Sequence, residues 1–371
     1  MIAIATSGHR PDDERIYHKE IKSLINAGYE ILYCTRWDEH MDLSCENLRH
    51  FNFLRKETSI KNYIHLIQSK IADAGKINLL HIHEFDLLPL AKQLKKNSEI
   101  HVIYDVHDTL RTMWETFSSK KGLLKKVINK SLSFFELSHL MYVDHVILAN
   151  KVFGDNFYEQ KGIHTTVVEN FPTLDNVNQS NKSLESPLIL YQGQISADRG
   201  IPVLIDAFVE VKKEIPNAGL KILGSIRSST FEKIIQDKIK ETSISDSIEL
   251  LSEVKHQEVW KYMQEAHIGV IPSLNLPRVL VDTPTKLFEY MASGCAIVAT
   301  DVPPVRYFLK NSGQLVEPNN IHSLSTGILS ILRSENIYKG YIDDAIVCIE
   351  EKYNWPVAEK KLLSVYENLV G

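Results

Sequence analysis

Short apolar runs alternate with amphipathic stretches along the whole chain. In the first half the runs are Met1 to Thr6, Glu30 to Cys34, Leu79 to Ile82, His101 to Val106, His145 to Ala149 and Thr165 to Val168. Each leads into a stretch of helical period, the pattern of parallel strands joined by right-handed crossovers. Between Asn170 and Pro187 the sequence lapses into FPTLDNVNQSNKSLESP, rich in Pro, Ser and Asn and without periodicity, which predicts an interdomain linker. A second series follows at Leu188 to Tyr191, Leu220 to Leu223, Ile248 to Leu251, Ile268 to Pro272 and Ala296 to Ala299. The expected fold class is α/β, with two Rossmann-like, doubly wound parallel-sheet domains at 1–172 and 187–352 and a linker at 173–186. In the last stretch, 353–371, Trp355, Ala358, Leu362, Leu363, Val365, Tyr366 and Leu369 recur at helical spacing. They predict a terminal helix, expected to return to the N-terminal domain, although its docking site does not follow from the spacing.

Composition narrows the function. A chain of 371 residues with 44% hydrophobic and 24% charged residues is of ordinary globular type and longer than one core usually serves. A net charge of −5 argues against nucleic acid as the main partner, because neutralising phosphates needs an excess of Lys and Arg. The four cysteines are scattered without metal-ligand spacing or a disulfide framework, which suits a reducing cytoplasm. The opening residues lack the basic-then-apolar order of a secretion signal, and no apolar stretch is long enough to span a bilayer. The expectation is a cytoplasmic protein, with any membrane contact peripheral on the inner face of the plasma membrane.

Two constellations in the second half carry candidate chemistry. In LILYQGQISADRGIPVLIDAF a buried strand runs into a turn at Gly193, then a polar loop with Gln194 and Arg199, then Gly200 and an amphipathic helix. Such a junction offers backbone N–H groups and a cation to an anion, although the same residues could serve only as turn and solvated surface. In DTPTKLFEYMASGCAIVATD, Asp282 or Thr283 is placed to cap a helix with Pro284 at its first position, and Gly294 ends it. Glu289 falls among apolar neighbours, so its carboxylate needs a partner; a ribose diol is one candidate and an ion pair with Lys286 the other.

Taken in order, YQG-x5-RG, LKILGS, HIGVIPS, PTKLFEYMASGCAIVATD and SGQLVEP resemble the C-terminal domain of the family-4 glycosyltransferases of the GT-B fold. SGHRPDDERIYHKEIKSLINAGYEI, HIHEF and YDVHDT are similar to the N-terminal half of the same family. The resemblance implies a GT-B architecture, two domains facing across a cleft, and a retaining transfer from a nucleotide sugar, most commonly a UDP-sugar, without a bound metal or other cofactor. It implies that Arg199 binds the donor pyrophosphate and that Glu289 holds the ribose. Gln194 stands where the family usually has an arginine, leaving backbone amides or Lys286 to carry more of that charge. Val281 stands where the family places its first motif acid, with Asp282 as a displaced substitute. Backbone N–H groups from Asp282 through Thr283 to Thr285 are expected at the phosphate.

In the first half, His107 aligns with the histidine that lies beside the transferred sugar in similar enzymes. His83 and Glu84 end another strand and are candidates for the acceptor side. His9, Asp13 and Arg15 follow the first strand in a loop that faces donor phosphates and acceptor in similar enzymes. Gly8 permits close backbone approach there, and a loop-shaping ion pair is an equal alternative for Asp13 and Arg15. The His81/His83 pair alternates along a strand, but with no third ligand near in sequence it is not read as a metal site.

One further segment, SSKKGLLKKVINKSLSFFELSHLMYV, interleaves Lys120, Lys121, Lys125, Lys126 and Lys130 with apolar residues. It reads either as a peripheral membrane anchor that would bring a lipid-linked acceptor within reach or as a core-facing helix with a solvated basic face. The expected function is sugar transfer from a nucleotide diphosphate donor to a glycan or lipid-linked saccharide in surface polysaccharide or glycoconjugate assembly. A sugar-nucleotide epimerase or hydrolase on the same scaffold, or a non-catalytic sugar-nucleotide-binding partner, are the rivals.

Overall fold

The computed structural model describes residues 1–96, 98–107, 114, 122–153, 155–178 and 182–371, apart from the side chains at 123–125, 176 and 256. The chain forms two compact units: Met1–Asn170 with Pro356–Gly371, and Phe171–Trp355.

The first unit carries seven strands: β1 (Ile2–Thr6), β2 (Ile31–Trp37), β3 (Leu48–Leu54), β4 (Leu79–Ile82), β5 (His101–Val106), β6 (His145–Leu148) and β7 (His164–Val167). Their order is β3-β2-β1-β4-β5-β6-β7 and every pairing is parallel. The second unit carries β8 (Leu188–Gln192), β9 (Gly219–Leu223), β10 (Ile248–Leu251), β11 (Ile268–Ile271), β12 (Ala296–Thr300) and β13 (Gln314–Val316). Here the order is β10-β9-β8-β11-β12-β13, again all parallel. In each sheet the chain winds outward one way and then restarts beside its first strand. The reversals fall at β1/β4 and β8/β11, the points where doubly wound sheets open a crevice beyond their strand ends.

The α-helices of the first unit are α1 (Lys22–Asn26), α2 (Ile60–Ala74), α3 (Leu88–Lys95) and α4 (Gly122–Leu140). Those of the second are α5 (Ile201–Glu214), α6 (Ser229–Glu241), α7 (His256–Glu265), α8 (Lys286–Ala292), α9 (Pro303–Leu309), α10 (Ile321–Leu332) and α11 (Glu335–Glu351). The last, α12 (Trp355–Val370), lies almost wholly in the first unit. Helix α2 shows how sequence sets such an element. Ser59 Oγ accepts from the Asn62 N–H at 3.2 Å and starts it, and Tyr63, Ile64, Ile67 and Ile71 recur at helical spacing to bury one face. Helix α12 is held on the first unit by buried Ala358, Leu362, Val365 and Tyr366 and by Lys361 against Glu169 at 2.9 Å.

The boundaries differ from the sequence expectation. The described residues of the expected linker, 173–178 and 182–186, belong to the second unit. Val177 and Leu184 pack on that unit's core, and Lys182 Nζ donates to the carbonyls of Ala266 and Gly294 at 2.6 and 3.2 Å. Phe171, the residue at the switch, is buried in a ring cluster with Phe288, Phe308 and Tyr353.

Candidate functional site

Each sheet gathers polar side chains at the strand ends beside its own switch point. In the second unit the group is built on the end of β8. Tyr290 on α8 fixes that end, its hydroxyl accepting from Gln192 N–H at 2.8 Å and donating to the Leu190 carbonyl at 3.2 Å. The ring reaches this position because β11 carries Gly269, where a Cβ would come within 2.4 Å of it. Beyond β8 the chain turns at Gly193, with φ of 114°. A Cβ there would meet Lys286 Nζ at 2.8 Å, and one on Gly224 would meet the Gly193 carbonyl oxygen at 1.9 Å, so both glycines are required for the close packing. The Gly193 N–H donates to the Leu223 carbonyl at 3.0 Å. It is therefore spent within the sheet, contrary to the expectation that this turn would offer it to an anion.

Lys286 is buried, its ammonium donating to the Gln192 carbonyl at 2.5 Å and lying 4.2 Å from the centroid of the Tyr191 ring. Burial pulls its pKa down, the Arg199 charge pulls the same way, Glu289 and Asp198 oppose, and the result is about 7. Glu289 accepts from Gln192 Nε2 at 2.6 Å. Arg199, from the turn before α5, stands beside Asp198, with Nε 3.5 Å from its carboxylate. Gly200 starts α5 in the left-handed region and lies so near β11 that a Cβ would overlap the Pro272 carbonyl oxygen at 1.9 Å. Beside Gly193 lies a cavity of about 210 Å³ lined by Gln192, Gln194, Gly224, Glu253, Val254 and Val259 among others. A smaller hollow is lined by Asp198, Arg199, Arg278 and Asp282.

Of the sequence candidates in this half, Gly193, Gln194, Arg199, Lys286 and Glu289 are brought together around the end of β8. The capping expectation for α8 is corrected. The helix starts at Lys286, Thr285 is its N-cap residue without a side-chain bond, and Pro284 precedes it. Thr283 is buried, and Asp282 faces Arg278 at 3.4 Å across one helical turn. Val281 is 40% exposed. Gln192, Arg278 and Glu253 were missed by the sequence reading; only Gln192, one residue before Gly193, had a signal to find it by.

In the first unit the strand ends of β1, β4 and β5 meet. Glu84 accepts from the N–H groups of Ser7 and Gly8, both at 2.8 Å, from Thr6 Oγ1 at 2.6 Å, and faces His9 Nδ1 at 2.7 Å. Gly8 is needed because a Cβ would fall 2.9 Å from Glu84 Oε1. The His9 and His107 rings lie 4.4 Å apart, and His107 Nε2 is 3.1 Å from His83 Nδ1. Burial and the neighbouring His9 charge push His107 down to about 3, so its ring is neutral. Burial alone would lower His9, but the hydrogen bond and charge of Glu84 outweigh it and raise its pKa.

Beneath this layer lies a buried ion cluster. Arg15 places Nε 2.9 Å from Glu20, NH2 2.8 Å from Asp105 and NH1 2.6 Å from the Val168 carbonyl. Burial works to raise Asp105, but the Arg15 charge outweighs it and holds it well below the carboxylate range; burial raises Glu20 well above it. Arg15 is thus a structural counter-ion and no ligand of donor or acceptor. Asp13 is likewise structural, accepting from the N–H groups of Arg15 and Ile16 at 2.9 and 3.0 Å. His83 is also buried and does not line an acceptor surface. The premise that the His81/His83 pair has no further ligand-type neighbour is corrected too. Glu20 and Asp105 approach it, all four ligand atoms lying within 4.8 Å of one another. Both carboxylates there already face the Arg15 guanidinium.

Two Rossmann-like parallel-sheet units, each with a polar cluster at its own switch point, make up the fold class of the GT-B glycosyltransferases. Residues 173–346 match the family described as glycosyl transferases group 1. A phosphatidyl-myo-inositol mannosyltransferase of Mycolicibacterium smegmatis is 22% identical over 303 residues, 80% of this chain and 72% of that one. An uncharacterised glycosyltransferase of Haemophilus influenzae is 27% identical over 173 residues, 45% of this chain and 46% of the other. Among solved structures, sucrose-phosphate synthase from Thermosynechococcus elongatus superposes with a TM-score of 0.78 at 17% identity, covering 100% of this chain and 99% of that one. Anabaena Alr3699/HepE in complex with UDP and glucose superposes at 0.74 with 13% identity and full coverage of both chains.

Proposed function

We propose that the chain is a retaining, metal-independent transferase that moves a sugar from a nucleoside diphosphate donor, a UDP-sugar, to a glycan or lipid-linked saccharide of surface polysaccharide or glycoconjugate assembly. The observation that carries this reading is the packing of Gln192, Lys286, Glu289 and Arg199 around Gly193. It brings Arg199, Lys286, a carboxylate and a cavity to one turn of backbone. The base enters the cavity against Val254, Glu289 takes the ribose hydroxyls, and Arg199 and Lys286 take the diphosphate. Lys286 supplies the charge that Gln194 lacks. These two cations do the work a divalent ion does elsewhere, stabilising the leaving diphosphate as charge develops on it. His107, neutral and at a strand end, contacts the transferred sugar. HepE, solved with UDP and glucose, supports the choice of nucleotide. A thermal-shift screen of UDP- and GDP-sugars tests the reading. A donor at 100 times its Kd adds about 2.7 kcal/mol to the unit that binds it, a shift of roughly 5–10 °C for a domain of this size. No shift with any nucleotide sugar would refute it.

The acceptor side carries its own observation. On α4, Val127 and Phe134 are 53% and 73% exposed, and Met141 just past its end is 77% exposed. A spacing of seven puts the three on one face, and Lys126 and Lys130 are exposed on the same helix. An apolar stripe flanked by cations suits an anionic lipid surface. Lys120 and Lys121, and the side chain of Lys125, lie outside the described residues. Among the described residues no helix is long and apolar enough to cross a membrane. The protein should co-sediment with phosphatidylglycerol vesicles and not with phosphatidylcholine ones. Phe134→Asp with Lys130→Glu should release it, and binding unchanged by both substitutions would remove the lipid surface from the proposal.

A further inference from the structure

The end of β8 carries a second assignment, which rests on the donor reading above. We propose that Gln192 is a positioning residue: its side-chain amide sets the Glu289 carboxylate and so makes the site select a ribonucleoside diphosphate over its 2′-deoxy counterpart.

Gln192 is the last residue of β8, and three of its groups bond to three different residues of α8. Its N–H donates to the Tyr290 hydroxyl at 2.8 Å, its carbonyl accepts from Lys286 Nζ at 2.5 Å, and its side-chain Nε2 donates to Glu289 Oε2 at 2.6 Å. One residue reaches all three because positions three and four apart are neighbours on a helix surface. The first two bonds come from the main chain and do not depend on the side chain at 192. They fix α8 against the strand end; only the third needs glutamine.

Glu289 is the side chain that this third bond serves. The other six residues of α8 are buried, and Glu289 alone stays partly open. An open glutamate samples several rotamers, and a ligand that uses it must first stop that motion. With one oxygen held by the Gln192 amide, the direction of the carboxylate is set before the ligand arrives. Gln192 also lines the cavity of about 210 Å³ beside Gly193. A base in that cavity therefore has its ribose next to the carboxylate that Gln192 holds.

The chemistry of the sugar ring decides what is selected. A carboxylate only accepts hydrogen bonds. Ribose offers it two neighbouring hydroxyls, 2′-deoxyribose only one. A site built to bond a hydroxyl rejects the analogue lacking it because its own polar group is left unpaired. That penalty is kept only while the acceptor cannot swing to another partner, which is what the Gln192 amide prevents. Asparagine carries the same amide one methylene short, and methionine has the length without the donor.

Gln192→Met is therefore the test, since it removes the donor and keeps both main-chain bonds. Calorimetry on the whole protein compares UDP with 2′-deoxy-UDP. The wild type should bind UDP roughly 10–150-fold more tightly, the worth of one hydrogen bond to a charged group. Gln192→Met should weaken UDP by about 5–30-fold and 2′-deoxy-UDP by less, so that the ratio between them narrows. Glu289→Ala should narrow it in the same way, and adding Gln192→Met to that variant should cost nothing further, because the two residues act as one pair. Equal loss of both nucleotides in Gln192→Met overturns the assignment and makes the residue a prop of the fold. No loss of either, a wild type that binds the two equally, or additive losses in the double variant overturn it as well. Amide NMR of the free protein separates these failures from failure of the donor reading. The Gln192 side-chain N–H signals, identified by their absence from Gln192→Met, should move in Glu289→Gln; signals that stay put mean that the pair is not made, whatever binds. Absence of binding by UDP and by every nucleotide sugar overturns the donor reading instead, even where those signals move.

Discussion

Arg15→Met should destabilise the first unit by about 3–5 kcal/mol, a large share of what holds a domain folded. The side chain is buried, and its guanidinium faces two carboxylates that are themselves fully buried. Methionine fills similar volume but leaves Asp105 charged in an apolar interior. The pH dependence gives the signature. In the wild type Asp105 is held below its ordinary range, so the pair's stabilisation is present above an unfolded pKa near 4 and is lost only as the pH falls through the lower folded value. Without Arg15 burial dominates and raises Asp105 above its unfolded value, which reverses the sign: stability is then lost as pH rises from about 4. The difference between variant and wild type should therefore widen between pH 4 and pH 7. Taking that difference cancels most of the contribution of the buried neutral histidines, which both proteins share. Amide exchange in β1, β4 and β5, with β8 and β11 of the second unit as internal reference, reads the loss unit by unit. Restoring neutrality in Arg15→Met/Asp105→Asn/Glu20→Gln should recover much of it. A flat pH difference, or no recovery, would mean that packing and not charge explains the cost.

This cluster also shows where sequence reasoning stopped. Strands buried on both faces were legible because they appear as continuous apolar runs, and eleven of the thirteen were found that way. The two that were missed are edge strands. In β3, LRHFNFL is only partly buried and interrupts its apolar residues with Arg49, His50 and Asn52; β13 is three residues long. Edge position alone does not hide a strand, since β7 and β10 are edges too and show as short apolar runs; polar interruption hid β3 and brevity hid β13. In the second half Gly193, Arg199 and Glu289, spread over almost a hundred positions, were grouped through the resemblance of their motifs to a family, and the structure brings them together around the end of β8. In the first half the same resemblance left two readings of Asp13 and Arg15 open. Whether Arg15 reaches a ligand or a buried carboxylate depends on which strand lies beside β1, and only the β1/β4/β5 order decides it for Asp105. Gln192 was overlooked for a related reason: the last residue of a strand looks like core until the partner it reaches, Glu289, is known.

Lys286→Met should weaken donor binding by roughly 10–150-fold, the loss of one charge-assisted contact worth about 1.5–3 kcal/mol, and should remove most of its pH dependence. The reasoning starts from burial. An ammonium at the bottom of the β8 turn, next to Arg199, has a pKa of about 7 in the unliganded protein and is thus half neutral at physiological pH. A diphosphate beside it favours the charged form, so binding must take up a proton. A group whose pKa is raised by the ligand adds affinity at low pH and loses it as pH rises, here from about 7 upward until the liganded pKa is reached. Calorimetry with UDP in buffers of different ionisation enthalpy should show uptake approaching one proton per site near pH 8 and little at pH 6. In Lys286→Met that uptake should vanish. Glu289→Gln provides the contrast: it should lower affinity through the ribose contact and depress Lys286 further, moving the affinity loss to lower pH instead of abolishing it. Thermal unfolding of the free variants separates binding from folding, because methionine at 286 removes a buried charge and should leave the second unit at least as stable. If Lys286→Met bound UDP as tightly as the wild type at every pH, Arg199 and the start of α5 would be sufficient for the diphosphate, and Lys286 would be only the prop that holds Gln192 at the end of its strand.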